Sequence, residues 1–216
     1  MEKRDYGQEY VREQVKAVEK PLKEAKESFK YEFNLLKKIC QNKVVLDVGC
    51  GTGRPADKLF QFVKKLVGID NNESVLKIAR KNLANSPNVE ILNMDAFNMT
   101  FPDNFFDVTY AAYNLIGSID SKEKLLREIL RVTKRGGTIL IFTWKRDKRT
   151  TTFLRKYYSY LGFKVMSIKE DKTVLDKASF DRVDLTNIKV LLSNYCQDLK
   201  IKSVGPVWTV LIGVKA

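Results

Sequence analysis

Apolar side chains in the first forty residues fall at helical spacing: Leu22, Phe29, Phe33 and Leu36 stand three, four or seven positions apart with charges between them. This is the pattern of an amphipathic helix, and Pro21 predicts a break in it. From Lys43 the period changes. Short apolar runs at 44–48, 66–69, 89–92, 105–111 and 138–142 are separated by stretches of helical period. Strand alternating with helix predicts an α/β fold, a doubly wound parallel sheet covered on both faces. The intervening helices carry start and stop signals. Pro55 sits where a first helical residue would lie, ahead of Leu59, Phe60, Phe62 and Val63. Asp120 and Glu123 resemble a capping box before Leu125, Leu126, Ile129, Leu130 and Val132, and Gly136-Gly137 is read as the stop of that helix. Beyond it the pattern predicts a helix at 151–160, a strand at 163–168, an ambiguous stretch, a helix at 186–196 and a final strand at 207–214.

A chain of 216 residues suits one domain and is long enough to bury a core without disulfides or metals. The three cysteines, Cys40, Cys50 and Cys196, are far apart and contain no C-x-x-C pair, as expected in a reducing cytosol. No histidine is present. That removes the commonest metal ligand and general base, so no metal site is expected and any proton transfer falls to Asp, Glu, Tyr, Lys or water. The charged start Met1-Glu2-Lys3-Arg4 and the lack of a span-length apolar run predict a soluble, cytoplasmic protein. Thirty-nine basic against twenty-six acidic side chains give a net charge of +13. Such a balance suits an anionic partner, but the lysines are spread over nearly every segment, whereas a nucleic-acid footprint concentrates them.

The segment Val44-Val45-Leu46-Asp47-Val48-Gly49-Cys50-Gly51-Thr52-Gly53-Arg54-Pro55 runs an apolar strand into glycines at alternate positions and then into a helix start. Glycines suit a tight turn where a ligand approaches bare backbone. Asp70, with Asn71 beside it, ends the second strand, where doubly wound folds place an acid that accepts hydrogen bonds from ribose hydroxyls. A dinucleotide fingerprint is G-x-G-x-x-G and keeps its loop open to a pyrophosphate. Here the pattern is G-x-G-x-G, with Asp47 just before it. A carboxylate there repels a pyrophosphate and suits an ammonium.

Leu46-Asp47-Val48-Gly49-Cys50-Gly51-Thr52-Gly53 resembles motif I of the class I S-adenosylmethionine-dependent methyltransferases. Asp70 resembles the family's ribose-binding acid, and Asn93-Met94-Asp95-Ala96 its adenine segment. Residues 105–110 resemble the fourth strand, and 126–137 the helix and turn after it. The resemblance spans residues 43–142, with chemistry closest in style to the family's small-molecule group. It implies a seven-stranded Rossmann-like sheet with an antiparallel last strand, and S-adenosylmethionine as cofactor, released as S-adenosylhomocysteine. It implies that Gly49, Cys50, Gly51 and Gly53 line the cofactor through backbone, and that Asp47 organises the loop or meets the ammonium. Asp70 and Asn71 would hold the ribose, Asp95 and Ala96 the adenine, and Ala111 or Ala112 would offer a carbonyl to the amine. On this reading residues 1–216 form one methyltransferase domain: a helical cover at 1–40, a cofactor-binding core at 43–144, and the acceptor region with the rest of the sheet at 145–216.

The acceptor is less legible. Residues 111–116 depart from the Asn-Pro-Pro-Tyr-type motif of adenine and glutamine methylators, and the cysteine nucleophile of pyrimidine-carbon methylators has no counterpart. A small-molecule acceptor is the leading expectation, with an RNA or protein substrate second and a non-enzymatic cofactor-binding module third. Candidate acceptor contacts are Tyr6 and Tyr10 before the first helix, Asn114 after the fourth strand, and Arg146 and Arg149 in the basic run after the fifth. The two arginine forks are expected to hold a carboxylate or phosphate if the acceptor is anionic. No catalytic base is assigned.

Overall fold

The computed structural model describes residues 15–17 and 20–216, so Tyr6, Tyr10 and the first fourteen residues of the expected cover lie outside the described residues. Helix α1 (Lys23–Cys40) starts just after Pro21, as the break predicted. Its buried stripe is Ala25, Ser28, Glu32, Leu36 and Cys40, which places an acid among core positions.

The main sheet contains β1 (Val44–Val48), β2 (Lys65–Asp70), β3 (Val89–Asn93), β4 (Phe106–Ala111), β5 (Thr133–Trp144), β9 (Cys196–Val204) and β10 (Trp208–Lys215). Their order across the sheet is β3-β2-β1-β4-β5-β10-β9. β1 to β5 pair parallel, and β10, wedged between β5 and β9, pairs antiparallel with both. The chain reverses its direction of winding between β1 and β4, so a crevice forms at their carboxyl ends. Alternate residues face opposite cores. Val45, Leu66, Val108, Tyr110, Leu140 and Phe142 pack with α1, with α2 (Ala56–Leu59) and with α6 (Lys148–Leu161). Leu46, Val48, Val67, Ile69, Ile139 and Ile141 pack with α5 (Lys122–Val132) and α7 (Leu185–Leu192). Helix α3 (Glu73–Asn82) follows β2 and α4 (Leu115–Ser118) follows β4.

Several local expectations are corrected. The strand expected at 163–168 forms as β6 (Val165–Ile168), but in a separate antiparallel sheet with β7 (Lys172–Leu175) and β8 (Ser179–Asp181), both inside the ambiguous stretch. The strand that the main sheet uses instead is β9, where only Cys196 and Val204 are buried, so an edge strand carries little apolar signal. The helix expected at 186–196 ends accordingly at Leu192. The cap of α5 falls on Ser121, one residue beyond the expected Asp120, and Ser121 makes no side-chain cap hydrogen bond. That helix ends at Val132, before the glycines, and Gly136 lies inside β5 near a register shift. Pro55 precedes α2 at its cap position.

α6 and the three-stranded sheet are inserted between β5 and α7, at the carboxyl edge of the main sheet. Buried Arg182 fastens this unit down, donating to Lys145 O at 2.8 Å, Lys169 O at 2.9 Å and Thr151 Oγ1 at 3.0 Å. A second seam runs through Gly117, where a Cβ would stand 2.3 Å from Asp181 O and 2.4 Å from Asn114 Nδ2. Gly117→Ala is therefore expected to destabilise the protein by about 1–3 kcal/mol through overpacking. Urea titration of the variant checks this, and an unchanged midpoint would place the seam elsewhere.

Candidate active site

At the end of β1 the chain must turn sharply into α2, and Gly49, Gly51 and Gly53 have φ values of +71°, +54° and +90°. Side chains are excluded for steric reasons as well. A Cβ at Gly49 would stand 2.8 Å from Leu115 Cδ1, and one at Gly53 2.8 Å from Leu83 Cδ1. The turn is anchored on β2: Gly49 N–H and Cys50 N–H donate to Ile69 O at 2.8 and 2.9 Å. Gly51 N–H then donates to Asp70 Oδ2 at 3.1 Å, while Asn72 N–H donates to Asp70 Oδ1 at 2.9 Å. Asp70 is half-buried, which pushes its carboxyl up, while the amides of Asn72, Gly51 and Asn71 draw it back. Cys50 is buried under the turn, and loss of solvation raises its thiol well above the ordinary value.

Asp47 points from β1 toward α1 with 1 % exposure, opposite Gly68 and Tyr110 in the strand register. Burial pushes its carboxyl up to about 8; Tyr110 and Arg54 favour the ionised form, and Glu32 and Asp70 oppose it. Arg54, directly after the last loop glycine, donates from Nη1 to Glu32 Oε2 at 2.8 Å, with Glu32 fully buried. Its guanidinium stands 3.9 Å from the Phe29 ring centroid and 5.3 Å from that of Tyr113, within cation–π range. Glu32 Oε1, Asp47 Oδ2 and Tyr110 Oη are buried without a hydrogen-bond partner of normal geometry among the described residues.

Where β4 ends, Tyr113 and Asn114 both adopt left-handed backbone, with φ of +52° and +61°. Asn114 is buried and accepts from Thr143 Oγ1 at 2.7 Å, fixing it against the end of β5. Tyr113 lies 5.9 Å from Trp144 and 5.7 Å from Trp208 between ring centroids, and its hydroxyl shares a hydrogen bond with that of Tyr157 on α6. Trp144 and Trp208 stack at 3.9 Å. The carboxyl edge of the sheet thus carries a glycine turn and carboxylates on one side of β4 and an aromatic cluster on the other.

Residues 46–141 match a family model described as a methyltransferase domain. Over that segment the chain is similar to methyltransferases. S-adenosylmethionine is the methyl donor of this enzyme family. The domain is similar to the ubiquinone/menaquinone biosynthesis C-methyltransferase of Pseudomonas fluorescens, 35 % identical over 142 residues, covering 63 % of this chain and 54 % of that protein. The Pseudomonas putida protein of the same name is 33 % identical over the same shares. The chain thus spans about half the length of the curated relatives it matches. Among solved structures, a protein from Pyrococcus horikoshii superposes with TM-score 0.77 at 20 % identity, covering 97 % of this chain and 100 % of that one. An S-adenosylmethionine-dependent methyltransferase from Aquifex aeolicus gives 0.68 at 20 % identity, covering 95 % and 98 %. These likenesses place the fold, including its antiparallel last strand.

Within the matched segment, Asp47, Gly49, Cys50, Gly51, Gly53, Asp70 and Asn71 gather at the ends of β1 and β2. Asp95 lies just beyond β3, exposed, accepting from Phe97 N–H at 2.8 Å, with Ala96 half-buried beside it. Ala111 and Ala112 are buried at the end of β4. Arg146 is already engaged: it donates to Asp184 Oδ2 at 2.9 Å, and to Glu170 through its carbonyl at 3.1 Å and its carboxylate at 3.2 Å. Arg149 is exposed near the start of α6. No helix among the described residues is long and apolar enough to cross a membrane. Glu32, Arg54, Tyr113 and Trp208 were not anticipated as site residues. A signal for Glu32 existed in the i, i+4 row Ser28-Glu32-Leu36, which continues the buried stripe of α1.

The raised carboxyl of Asp47 has a defined consequence for stability. Between its unfolded value near 3.8 and its folded value of about 8, the folded state binds more protons than the unfolded state. Stability contributed by this group is therefore fully present below about pH 4 and declines as pH rises to about 8. Asp47→Asn is expected to flatten that decline. Denaturant unfolding of both proteins at successive pH values checks it, and parallel curves would refute the assignment.

Proposed function

We propose that this chain transfers the methyl group of S-adenosylmethionine to a small organic acceptor in the cytoplasm. The observation that carries the reading is the Gly51–Asp70 hydrogen bond, which ties the glycine turn to a carboxylate at the end of β2, where a nucleoside ribose would lie. Gly49, Cys50, Gly51 and Gly53 would present backbone to the cofactor, Asp70 and Asn71 would hold its ribose, and Asp95 and Ala96 its adenine. Ala111 would offer its carbonyl to the amine, and Asp47 would set the charge beneath the turn. The buried, unpartnered Asp47 Oδ2 suits a group that carries an ammonium. The bound cofactor supplies an activated methyl on a cationic sulfur, so alignment of acceptor, methyl and sulfur supplies much of the catalysis.

Alignment would fall to the aromatic cluster and the inserted unit. Asn114 and Tyr113 lie between the turn and Trp144, and α6 covers that edge through Tyr157. Phe29 and Glu32 of α1 meet Arg54, which supports the reading of residues 1–40 as a cover and of the chain as one domain. The curated relatives are named for quinone biosynthesis, which favours a small acceptor. The net charge of +13 favours the second reading, an RNA or protein substrate, and steep loss of binding with added salt would distinguish it.

Asp70→Ala is expected to weaken S-adenosylmethionine binding by about 1.5–3 kcal/mol, through loss of charge-assisted hydrogen bonds. Calorimetry on the folded variant checks this, and wild-type affinity would reject the site. If the acceptor is anionic, exposed Arg149 is proposed to meet it first, with Arg146 reached by exchange from Asp184 and Glu170. The double variant Arg146→Ala/Arg149→Ala should then lower acceptor use at least about tenfold, leaving cofactor affinity near wild type. Steady-state kinetics with an identified acceptor test this, and unaltered kinetics would return both arginines to a surface role.

A further inference from the structure

The main sheet divides the charge of the chain unequally between its two faces. On the side where α1 and α6 pack, the outer surface of α1 carries Lys23, Lys26, Lys30, Lys37 and Lys38, with Glu27 as its only exposed acid. α6 exposes Lys148, Arg149, Arg155 and Lys156 and contains no acid. The two helices are joined where Lys156 Nζ meets Glu24 Oε1 at 3.3 Å and Tyr160 Oη donates to Lys20 O at 2.6 Å. β9 extends this surface: Lys200 and Lys202 are exposed, and they pair with Ile212 and Val210, which pack in the core under α1. Among the described residues, only Lys156 of these bases is held in a salt bridge. On the opposite face α5 and α7 expose Lys124, Arg127 and Lys189 with Glu123, and the apolar Val190 and Leu191. Lysines spread over the sequence are thus gathered by the fold onto one side.

A broad surface of one sign attracts a polyanion and gains from the counterions that the polyanion releases. An anionic bilayer and a nucleic acid both have the required charge. A face that lies on a bilayer also inserts apolar side chains. Here the exposed Val190, Leu191 and Ile201 lie on the opposite face, and α1 and α6 contribute only Tyr31 to the exposed large apolar residues. Tyr31 is 49 % exposed and rests against the turn that follows β9, where a Cβ on Gly205 would stand 2.9 Å from its Cδ2. An aromatic ring set among bases suits single-stranded nucleic acid, whose phosphates follow the charge while a base stacks on the ring. We propose that the face formed by α1, α6 and β9 binds single-stranded nucleic acid through its phosphate backbone, with Tyr31 as a stacking platform and without sequence selection. The 18 residues of α1 give this face a length of about 27 Å. Such binding is independent of the proposed methyl transfer: the face would hold a strand whether or not one of its bases accepts a methyl.

Fluorescence anisotropy of a labelled oligo-uridine RNA of about 20 nucleotides, titrated with the full chain at several salt concentrations, tests this. The wild-type protein should bind, with affinity falling steeply as salt rises. Lys26→Ala/Lys30→Ala/Arg155→Ala should weaken binding about tenfold or more and lower the salt slope by about two, since each lost phosphate contact removes about 0.7. Lys124→Ala/Arg127→Ala/Lys189→Ala removes the same charge from the opposite face and should change affinity less than about twofold. Tyr31→Ala should weaken binding about fivefold and leave the slope unaltered, as loss of a stacked base does. All seven substituted side chains are exposed, and urea titration verifies that each variant is folded. Equal losses in the two triple variants would mean that the strand senses only net charge, and would overturn the proposal. Absence of wild-type binding would overturn it too, as would wild-type affinity in Tyr31→Ala. Vesicles containing phosphatidylglycerol in the same buffer supply the last arm: capture by them in place of the RNA would assign the face to a bilayer instead.

Discussion

The connection from β1 to α2 forces the backbone through three left-handed residues, and everything at the carboxyl edge is arranged around that turn. Its amides are satisfied in order along the end of β2, first by Ile69 O and then by the Asp70 carboxylate. Charged acceptors make the stronger bonds, so Asp70 fixes the turn and is fixed by it. The parallel register that opposes Val48 to Ile69 and Asp70 to Asn93 then sets where β3 delivers Asp95. Leu115 packs on Gly49 from the other side, and so the turn also positions the start of α4.

Beneath the turn the protein accepts an arrangement that stability alone would disfavour. A buried ion pair loses solvation for both partners and is often no better than apolar packing of similar volume. Each unpartnered buried polar atom costs on the order of 1–3 kcal/mol besides. The molecule keeps three such atoms, on Glu32, Asp47 and Tyr110, around one guanidinium. Arg54 recovers part of the difference by stacking on Phe29 and Tyr113. That contact joins α1, the turn and the segment after β4, so a change in the charge of this cluster is felt on three elements together.

The glycine turn, Asp70 and the first five strands were legible because their signals are local: alternate glycines after an apolar run, and an acid at a strand end. Glu32 was less legible, because its place in the row Ser28-Glu32-Leu36 puts it on the buried stripe while a glutamate among lysines ordinarily faces water. Only tertiary packing of the stripe Ala25-Ser28-Glu32-Leu36 decides. β9 escaped because an edge strand needs few apolar residues, and its central positions, Gln197, Asp198, Lys200 and Lys202, are exposed. The small sheet of β6 to β8 escaped for a related reason. Its strands are three or four residues long and are anchored by Arg182, a residue type ordinarily read as surface.

The placement of that small sheet separates two tasks along the chain. The match to the methyltransferase family ends at residue 141, three positions before Trp144, where the aromatic cluster begins. The unit of α6 with β6 to β8 is inserted between β5 and α7 and meets the rest of the domain at Tyr157, Arg182 and Gly117. Changes in this unit reach Tyr113 and the stacked tryptophans first, and reach the glycine turn through the contact of Tyr113 with Arg54. The glycine turn and the aromatic cluster thus occupy different strands along one edge of the sheet. On the proposed function, acceptor choice in this chain would therefore reside in the surfaces between Tyr113 and Trp208.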